Sequence, residues 1–234
     1  MREAKDGSPY RVMVVTLGCA KNRVDSEVML AQLAQAGYLI TDDPQTADVV
    51  IFNTCGFIEA AKRESLAAVL EAAERKTEAK KLILAGCLAQ GHGRELAAEL
   101  PEVDAIVGPG MAGRMATVVR EVLAGKRVLA LGSRGEWEAL PLPRLLTTFP
   151  GTAYLKIAEG CNHRCSFCTI PRLRGPYRSR PEEAILTEAA QLAAHGVKEL
   201  VLIAQDTAAY GYDRYGEFRL PRLVRRLAGL DGIR

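Results

Sequence analysis

The hydrophobic positions between residues 11 and 131 fall into short apolar runs separated by longer stretches with helical spacing. Three runs rich in β-branched or aliphatic residues predict buried strands, and two weaker runs predict further strands. These runs are Arg11–Leu17, Asp48–Thr54, Lys81–Gly86, Ala105–Val107 and Val128–Leu131. Helices are predicted between them, over 24–37, 58–77, near 94–100 and near 112–124. The alternation of strand and helix predicts an α/β fold with a doubly wound parallel sheet.

A single cysteine follows each of the three strong strands. Cys19 lies two residues past the first strand, and Cys55 and Cys87 come directly after the second and third. Because the strands of a parallel sheet point the same way, the three cysteines should meet at its carboxyl edge, where open α/β sheets bind ligands. Ordinary burial explains one such cysteine more easily than three, so the pattern favours a shared metal or cluster site.

The remaining chain begins a second α/β pattern. The Pro- and Gly-containing stretch Gly132–Gly151 predicts a linker. A strand at Thr152–Ala158, a helix that ends at Gly196 and a strand at Glu199–Ala204 follow. Ser179 and Glu182 are spaced as a capping box at the start of that helix. Another helix is predicted to begin within "LPRLVRRLAGL".

Composition narrows the class of protein only a little. The chain is 48% hydrophobic and 25% charged, with a mean hydropathy near zero and a net charge of +3, which argues against a polybasic binder. No stretch approaches 18 apolar residues, and the apolar run before Cys19 is too short for a lipoprotein signal. A cytoplasmic, non-membrane protein is expected. Its six cysteines would stay reduced there, which favours metal ligands or catalytic groups over disulfides.

Three cysteines are concentrated in "GCNHRCSFC", residues 160–168. Three residues separate Cys161 from Cys165, and two separate Cys165 from Cys168. A structural zinc ion would need a fourth ligand, for which His163 is the candidate, inside a loop that is very tight for a tetrahedral site. A four-iron cubane is larger, and three thiolates can hold three of its corners and leave one iron open. The spacing therefore favours an iron–sulfur cluster, with zinc as the alternative.

The motif C-x-x-x-C-x-x-C after the first strand of a predicted α/β barrel resembles the signature of radical S-adenosylmethionine (SAM) enzymes. Together with the preceding single cysteines, the chain resembles the radical SAM methylthiotransferases. The matching stretches are "GCAKNRVDSE", "NTCGFI", "KIAEGCNHRCSFCTIPRLRGPYRSR" and "IAQDTAAYG". The resemblance implies two 4Fe–4S clusters, held by Cys19, Cys55 and Cys87 and by Cys161, Cys165 and Cys168, with SAM as the second cofactor.

The resemblance also implies a division into domains. A cluster-binding domain would cover residues 1–131, a linker 132–151, and the first part of a radical SAM partial (β/α) barrel 152–234. The rest of the barrel and the small TRAM domain of the family would lie outside this chain. We therefore expect a fragment whose first domain folds and whose second domain is incomplete. Such a fragment should have no catalytic activity by itself.

The implied chemistry is the addition of a methylthio group. The second cysteine set would cleave SAM and generate the radical that removes hydrogen from the substrate carbon. The first set would carry the sulfur, and a second SAM would supply the methyl group. In the branch that these motifs match most closely, the substrate is the β-carbon of an aspartate in small-subunit ribosomal protein S-twelve, presented free or in the ribosomal subunit. Flavodoxin or ferredoxin would be the electron donor.

Two other interpretations stay open. One is the tRNA-modifying, MiaB-type branch, which usually has Gln-Met-Asn where this chain has Ala20-Lys21-Asn22. The other is a non-catalytic module that binds zinc or a cluster.

Further residues near the second cysteine set are weaker candidates. Gln205 and Asp206 end a strand at the catalytic face of the predicted barrel and could contact SAM or substrate, or only their own loop. Phe167 could shield the cluster or stack near adenine, or simply pack. Four arginines flank the loop and could contact an acidic peptide or ribosomal RNA, or form a solvated basic face: Arg172, Arg174, Arg178 and Arg180.

Overall fold

The computed structural model describes residues 7–132 and 143–233. These residues form two compact units, one made of 7–132 with Pro143–Leu145 and the other of 146–233. The middle of the predicted linker, 133–142, lies outside the described residues. Within the described ranges, no helix has the length and apolar character needed to cross a membrane.

The first unit is built on a six-stranded parallel sheet. Its strands are β1 (Arg11–Thr16), β2 (Leu39–Ile40), β3 (Val49–Thr54), β4 (Lys81–Gly86), β5 (Ala105–Val107) and β6 (Val128–Ala130), and its helices are α1 (Ala20–Gln35), α2 (Glu59–Glu74), α3 (Cys87–Glu99) and α4 (Met115–Leu123). The strand order is β2-β1-β3-β4-β5-β6, and every pair is parallel. Helix α1 packs against α4, whereas α2 and α3 share an apolar cluster with β3 and β4. The predicted doubly wound sheet is confirmed.

The central strands of this sheet are its most deeply buried part. Every residue of β3 is buried, and Ile51 in β3 and Ile83 in β4 have no exposed surface. Such near-continuous apolar runs are typical of parallel strands that are covered on both faces. The two strands that precede Cys55 and Cys87 are therefore firmly held by hydrophobic packing.

Two helices begin earlier than the sequence pattern indicates. Helix α1 starts at Ala20 and not at Val24, and α3 starts at Cys87 and not near Arg94. Gly93 packs closely inside α3, where a Cβ would lie 2.7 Å from a Leu131 methyl carbon. Tertiary packing has overridden helix propensity here. As a result, Cys19 and Cys87 both lie at the start of a helix.

The second unit contains a β-α-β arrangement with a small antiparallel ladder. Its strands are β7 (Thr152–Lys156), β8 (Ala158–Glu159), β9 (Arg178–Ser179) and β10 (Glu199–Ile203), and its helices are α5 (Ile170–Leu173), α6 (Glu182–Ala194), α7 (Tyr212–Tyr215) and α8 (Leu220–Ala228). Strand β7 pairs with β10 in parallel, and β8 pairs with β9 in antiparallel fashion. Leu155 of β7, Ile185 of α6 and Leu223 of α8 are fully buried in a common core.

The predicted capping box of α6 is wrong. Pro181 is the N-cap residue and makes no side-chain cap, and the backbone N–H of Glu182 donates to the Tyr215 hydroxyl at 3.0 Å. The Ser179 hydroxyl instead donates to Asp213 and accepts from the backbone N–H of Gly211. Gly196 does follow the end of the helix with φ = 90°, as predicted for a residue that must adopt the left-handed region.

Candidate functional site

The first three cysteines lie at one edge of the six-stranded sheet. Cys19 is the N-cap of α1 just after β1, Cys55 directly follows β3, and Cys87 is the first residue of α3 after β4. Strands β1, β3 and β4 are neighbours in the sheet. The strand order therefore brings the three cysteine-bearing loops side by side, as the sequence pattern predicted.

Two glycines show how closely these loops approach each other. A Cβ on Gly18 would lie 2.7 Å from Cys55 Cβ and 3.3 Å from its Sγ. A Cβ on Gly56 would lie 2.7 Å from the carbonyl oxygen of Cys87. The Cys19 loop thus touches Cys55, and the Cys55 loop touches Cys87.

Buried asparagines connect the same loops by hydrogen bonds. The Asn22 amide donates to the carbonyl oxygens of Leu17 and Thr54, each at 2.9 Å. The Asn53 amide donates to Asn22 O at 2.8 Å and to Ser26 Oγ at 3.0 Å. Both asparagines have no exposed surface. Side-chain amides therefore supply hydrogen bonds where the loops have left the regular ladder of the sheet.

The chemistry of this edge suits an anionic group held by thiolates. Cys19 and Cys87 lie at the N-termini of α1 and α3, where the helix dipole stabilises negative charge. Cys19 is exposed, Cys55 is half-buried and Cys87 is buried, and none of the six cysteines forms a disulfide. Thiolates are ligands of iron–sulfur clusters, and the small Gly18 leaves the surface beside Cys55 uncovered. The residue types at this edge suit such a group, although the three thiols are not gathered into a ligand set within the described residues.

The second cysteine set lies in the loop between β8 and α5. Cys161 and Cys168 are half-buried and Cys165 is exposed. Backbone hydrogen bonds shape the loop, from Cys161 N to Gly175 O at 3.1 Å and from Cys168 N to Cys165 O at 3.0 Å. Gly160 has φ = 79°, and a Cβ there would clash with the Pro176 carbonyl oxygen. The ends of the loop are therefore closed tightly, while its thiols stay near the surface.

A buried carboxylate supports the base of this loop. Glu159 Oε2 lies 2.9 Å from Lys156 Nζ and 3.0 Å from Arg174 Nη1. Its other oxygen accepts a hydrogen bond from Gln205 Nε2 at 2.5 Å. Lys156, Glu159 and Arg174 are each at least 96% buried. One carboxylate thus joins the end of β7, the segment after β10 and the residue that follows α5.

Burial alone would raise the pKa of Glu159, because it disfavours the charged form. The charges of Arg174 and Lys156, with hydrogen bonds from Lys156 and Gln205, outweigh burial and hold the pKa well below the ordinary value of 4.5. Glu159 is therefore ionised at neutral pH. Its charge balances buried cations next to Cys161.

A cavity of about 350 Å³ opens beside the cysteine loop. Its walls come from that loop, from the residue just before β9 and from the segment after β10, and include Asn162, His163, Tyr177 and Asp206. Asp206 Oδ2 lies 3.0 Å from His163 Nε2, and Asn162 Oδ1 accepts from Tyr177 N at 2.9 Å. Burial raises the pKa of Tyr177 to about 12. Asp206 thus lies beside the second cysteine set, in a cavity that could receive a small ligand or a side chain.

The other predicted residues fall in different surroundings. Gln205 hydrogen-bonds to Glu159 and is not part of the cavity wall. Phe167 is 84% exposed, so core packing does not account for it. Arg174 and Arg180 are neither a solvated face nor open to a partner, because both are buried in ion pairs with Glu159 and Glu188.

Across the described residues, no group of three or more His, Cys, Asp or Glu side chains is arranged to hold a metal ion. Both cysteine sites therefore remain predictions, supported by the positions of the cysteines in the fold. Sequence reasoning missed the supporting residues Asn22, Asn53 and Glu159. A lysine and a glutamate inside the apolar run "YLKIAEG" were the available signal for a buried ion pair.

Two family descriptions match separate parts of the chain. Residues 11–108 match the uncharacterized protein family UPF0004, and residues 155–231 match the radical SAM superfamily. The first match covers all three single cysteines, and the second covers the whole C-x-x-x-C-x-x-C loop. A radical SAM region implies a 4Fe–4S cluster and SAM.

Curated relatives match nearly the whole chain. "Ribosomal protein uS12 methylthiotransferase RimO" of Moorella thermoacetica is 54% identical over 95% of this chain and 51% of its own length. The protein of the same name from Heliobacterium modesticaldum is 51% identical over 96% of this chain and 49% of its own. Among solved structures, the radical SAM methyltransferase TsrM from Kitasatospora setae has a TM-score of 0.57 at 14% identity, over 93% of this chain and 50% of that one. This structural likeness concerns the fold alone. The chain is thus similar to these RimO proteins over nearly its whole length, and it spans about half the length of these curated relatives.

Proposed function

We propose that this chain supplies both cysteine sites of an enzyme that adds a methylthio group to the β-carbon of an aspartate in ribosomal protein uS12. The observation that carries the proposal is the pair of cysteine sets, one per unit, in a chain about half identical to RimO proteins. The relatives are named for a ribosomal protein substrate, which favours uS12 over the tRNA substrate of the MiaB-type branch.

Cys161, Cys165 and Cys168 would hold the radical SAM cluster. When bound, such a cluster supplies the electron for reductive cleavage of SAM. The chain's own residues shape the loop and its surroundings. Glu159 and Arg174 fix the base of the loop, and the exposed thiol of Cys165 remains open to an incoming cluster. The three thiols must be deprotonated to bind iron.

Asp206, Gln205 and Phe167 would contact SAM or substrate around that loop. Asp206 presents a carboxylate in the cavity, where it could accept hydrogen bonds from an ammonium or hydroxyl group. Phe167 presents an exposed ring on which a flat group could stack. Gln205 would act indirectly, by holding Glu159 at the base of the loop, since its amide already donates to that carboxylate.

Cys19, Cys55 and Cys87 would hold the other 4Fe–4S cluster, named the first cluster after its place in the chain, as the site of sulfur supply. Their placement after neighbouring parallel strands, at two helix N-termini, supports this part of the proposal. The electron donor would be a flavodoxin or ferredoxin. Because the substrate belongs to the ribosome, the enzyme would work in the cytoplasm.

Iron content after anaerobic reconstitution tests the two cluster sites. We expect about eight irons per chain, and about four when Ser replaces either all of Cys19, Cys55 and Cys87 or all of Cys161, Cys165 and Cys168. Stoichiometric zinc in place of iron would refute both sites. Unchanged iron in the variant that lacks Cys19, Cys55 and Cys87 would refute the first cluster alone.

The division of labour can be tested in a chimera in which this chain replaces the matching half of the Moorella thermoacetica protein. Cys165→Ala should abolish SAM cleavage, measured as 5′-deoxyadenosine. Cys55→Ala should leave cleavage largely intact but stop methylthiolation of uS12, measured by mass spectrometry. Normal product formation by Cys55→Ala would show that the first set has been misassigned.

The substrate is tested by complementation. A strain that lacks its own uS12 methylthiotransferase should regain the modified aspartate when it expresses the chimera. Appearance of a methylthio group on tRNA nucleosides, with uS12 unmodified, would favour the MiaB-type alternative.

A further inference from the structure

Asn22 occupies a central place at the cysteine edge of the first unit. Its side chain is completely buried, although it carries an amide and lies only three residues after the exposed Cys19. A buried amide is costly unless its donors and acceptor are used. The contacts of Asn22 show what it does there.

The amide nitrogen of Asn22 spans two different loops. It donates to Leu17 O, in the loop that leads to Cys19, and to Thr54 O, directly before Cys55, both at 2.9 Å. On its other side, Oδ1 accepts a long, weak hydrogen bond from the Cys19 thiol at 3.8 Å. One side chain therefore touches the segments that carry two of the three cysteines.

The backbone of Asn22 is fixed as well. Its carbonyl oxygen accepts the amide of Asn53 at 2.8 Å, which ties the first turn of α1 to β3. Asn53 Oδ1 in turn would lie 2.6 Å from a Cβ on Gly86, the residue before Cys87. The position of Asn22 is thus set relative to all three cysteine-bearing strand ends.

We propose that Asn22 is a positioning residue that sets the separation of Cys19 and Cys55 for cluster binding. This inference rests on the proposed first cluster. The bond from the Cys19 thiol is lost when that thiol gives up its proton to bind iron. The two bonds from the amide to Leu17 O and Thr54 O involve no thiol proton, so they persist in both states and keep the two loops in register.

The alternative is that Asn22 only stabilises the fold. A purely structural asparagine would affect unfolding but not the properties of a bound cluster. Glu27 offers a matched control on the same helix, because it has no exposed surface and pairs with Arg144 at 2.5 Å within the first unit. Loss of the Glu27 charge should destabilise α1 without touching the cysteine loops.

The experiment uses the full chain with Ser at 161, 165 and 168, so that only the first site can bind a cluster. Asn22→Ala, Asn22→Asp and Glu27→Gln are added separately, and each protein is reconstituted anaerobically with iron and sulfide. Three quantities are measured: the thermal unfolding of the apo protein, the rate of iron loss to a chelator, and the midpoint potential followed by electron paramagnetic resonance.

Asn22→Ala should lose iron about 10-fold faster than the parent, the usual size of effect for a residue that orients metal ligands. Asn22→Asp should also lower the midpoint potential, because a negative charge beside the cluster favours its oxidised form. Glu27→Gln should lower the unfolding temperature and leave both cluster properties unchanged. Should Asn22→Asp fail to fold, Asn22→Ala, which buries no charge, still gives the decisive iron-loss rate.

Parent-like iron loss and potential in Asn22→Ala would overturn the role of Asn22 while leaving the first cluster in place. The same changes in Glu27→Gln would also overturn it, since they would then follow from general destabilisation. Failure of the parent to take up iron would refute the proposed first cluster, and with it this inference.

Discussion

At the scale of single residues, the buried charges of the second unit are the strongest constraint on the cysteine loop. Glu159 is within 3.0 Å of both Lys156 Nζ and Arg174 Nη1, and all three side chains are almost fully buried. Buried ion pairs contribute little beyond what an apolar core would give, but removal of one partner leaves an uncompensated charge. The loop base is therefore sensitive to one carboxylate.

Glu159→Gln should destabilise the second unit by about 3–5 kcal/mol, because Lys156 and Arg174 would stay buried without their counter-charge. Hydrogen-exchange mass spectrometry of β7 and β10 during a urea titration measures the loss. Glu183→Gln is the control, since Glu183 is 77% exposed and pairs with Arg226 at the surface. A similar loss of protection in both variants would show that the buried network has no special role.

Acid should weaken the same unit through Glu159. Its pKa is held below the ordinary 4.5 in the fold, so its stabilising charge is complete above that pH and is lost as the pH falls toward the lower folded value. The wild-type unit should lose stability more steeply than Glu159→Gln between neutral pH and about pH 3. The difference between the two urea-unfolding curves isolates Glu159 from the other carboxylates, and parallel curves would contradict the assignment.

The cysteine positions could be predicted at this scale because each follows a recognisable strand. The side chains that hold the cysteine-bearing loops in place could not be predicted. Asn22 looks like an ordinary surface residue in the sequence, and Asn53 is only the polar end of a buried strand; only the fold shows which backbone carbonyls their amides reach. Ser179 fitted a capping box, yet its hydroxyl bonds to Asp213, more than thirty residues away, a pairing that local spacing cannot reveal.

At the scale of elements, the junctions between strands and helices determine where the cysteines lie. The strands were predictable from their apolar runs, and β4 has the predicted bounds Lys81–Gly86. The starts of α1 and α3 were not predictable. Neither N-cap residue makes a side-chain cap, and the backbone instead packs closely around Gly18, Gly56 and Gly93. Cys87 consequently belongs to a helix and not to a loop.

Gly56→Ala should displace the start of α3. The new Cβ would lie 2.7 Å from Cys87 O and 2.8 Å from Leu88 N, and backbone atoms cannot swing away as a side chain can. We expect a loss of roughly 1–3 kcal/mol in stability and faster reaction of the buried Cys87 with a thiol reagent. Gly229→Ala is the control, because its Cβ would make only ordinary contacts at 3.6 Å. Unchanged reactivity of Cys87 in Gly56→Ala would contradict this account.

At the scale of the whole molecule, the chain covers both cysteine sets but only about half the length of its curated relatives. The radical SAM match ends at residue 231, after two parallel strands of the second unit. The α/β class and the parallel first sheet could be predicted from periodicity. The substrate could not, because the residues that would distinguish a protein from a tRNA have no signature in the hydrophobic pattern.

We expect the 234-residue chain to bind iron but not to methylthiolate uS12 by itself. Two paired strands enclose too little surface to hold SAM and a peptide together. The chimera with the Moorella thermoacetica half should restore product, and mass spectrometry of a uS12 peptide compares the two proteins under identical reconstitution. Turnover by the isolated chain at the rate of the chimera would show that the other half is dispensable.

The order of the strands also bears on biosynthesis. Strands β1, β3 and β4 are adjacent in the sheet and successive among the strong strands of the chain, and the segments that hold α1, namely α4 and Pro143–Leu145, also precede the second cysteine set. Domains fold from the N-terminus as the chain emerges from the ribosome. The Cys19, Cys55 and Cys87 site can therefore fold while the second unit is still being completed, and iron delivery to the nascent polypeptide would load the two sites in the order in which they are made.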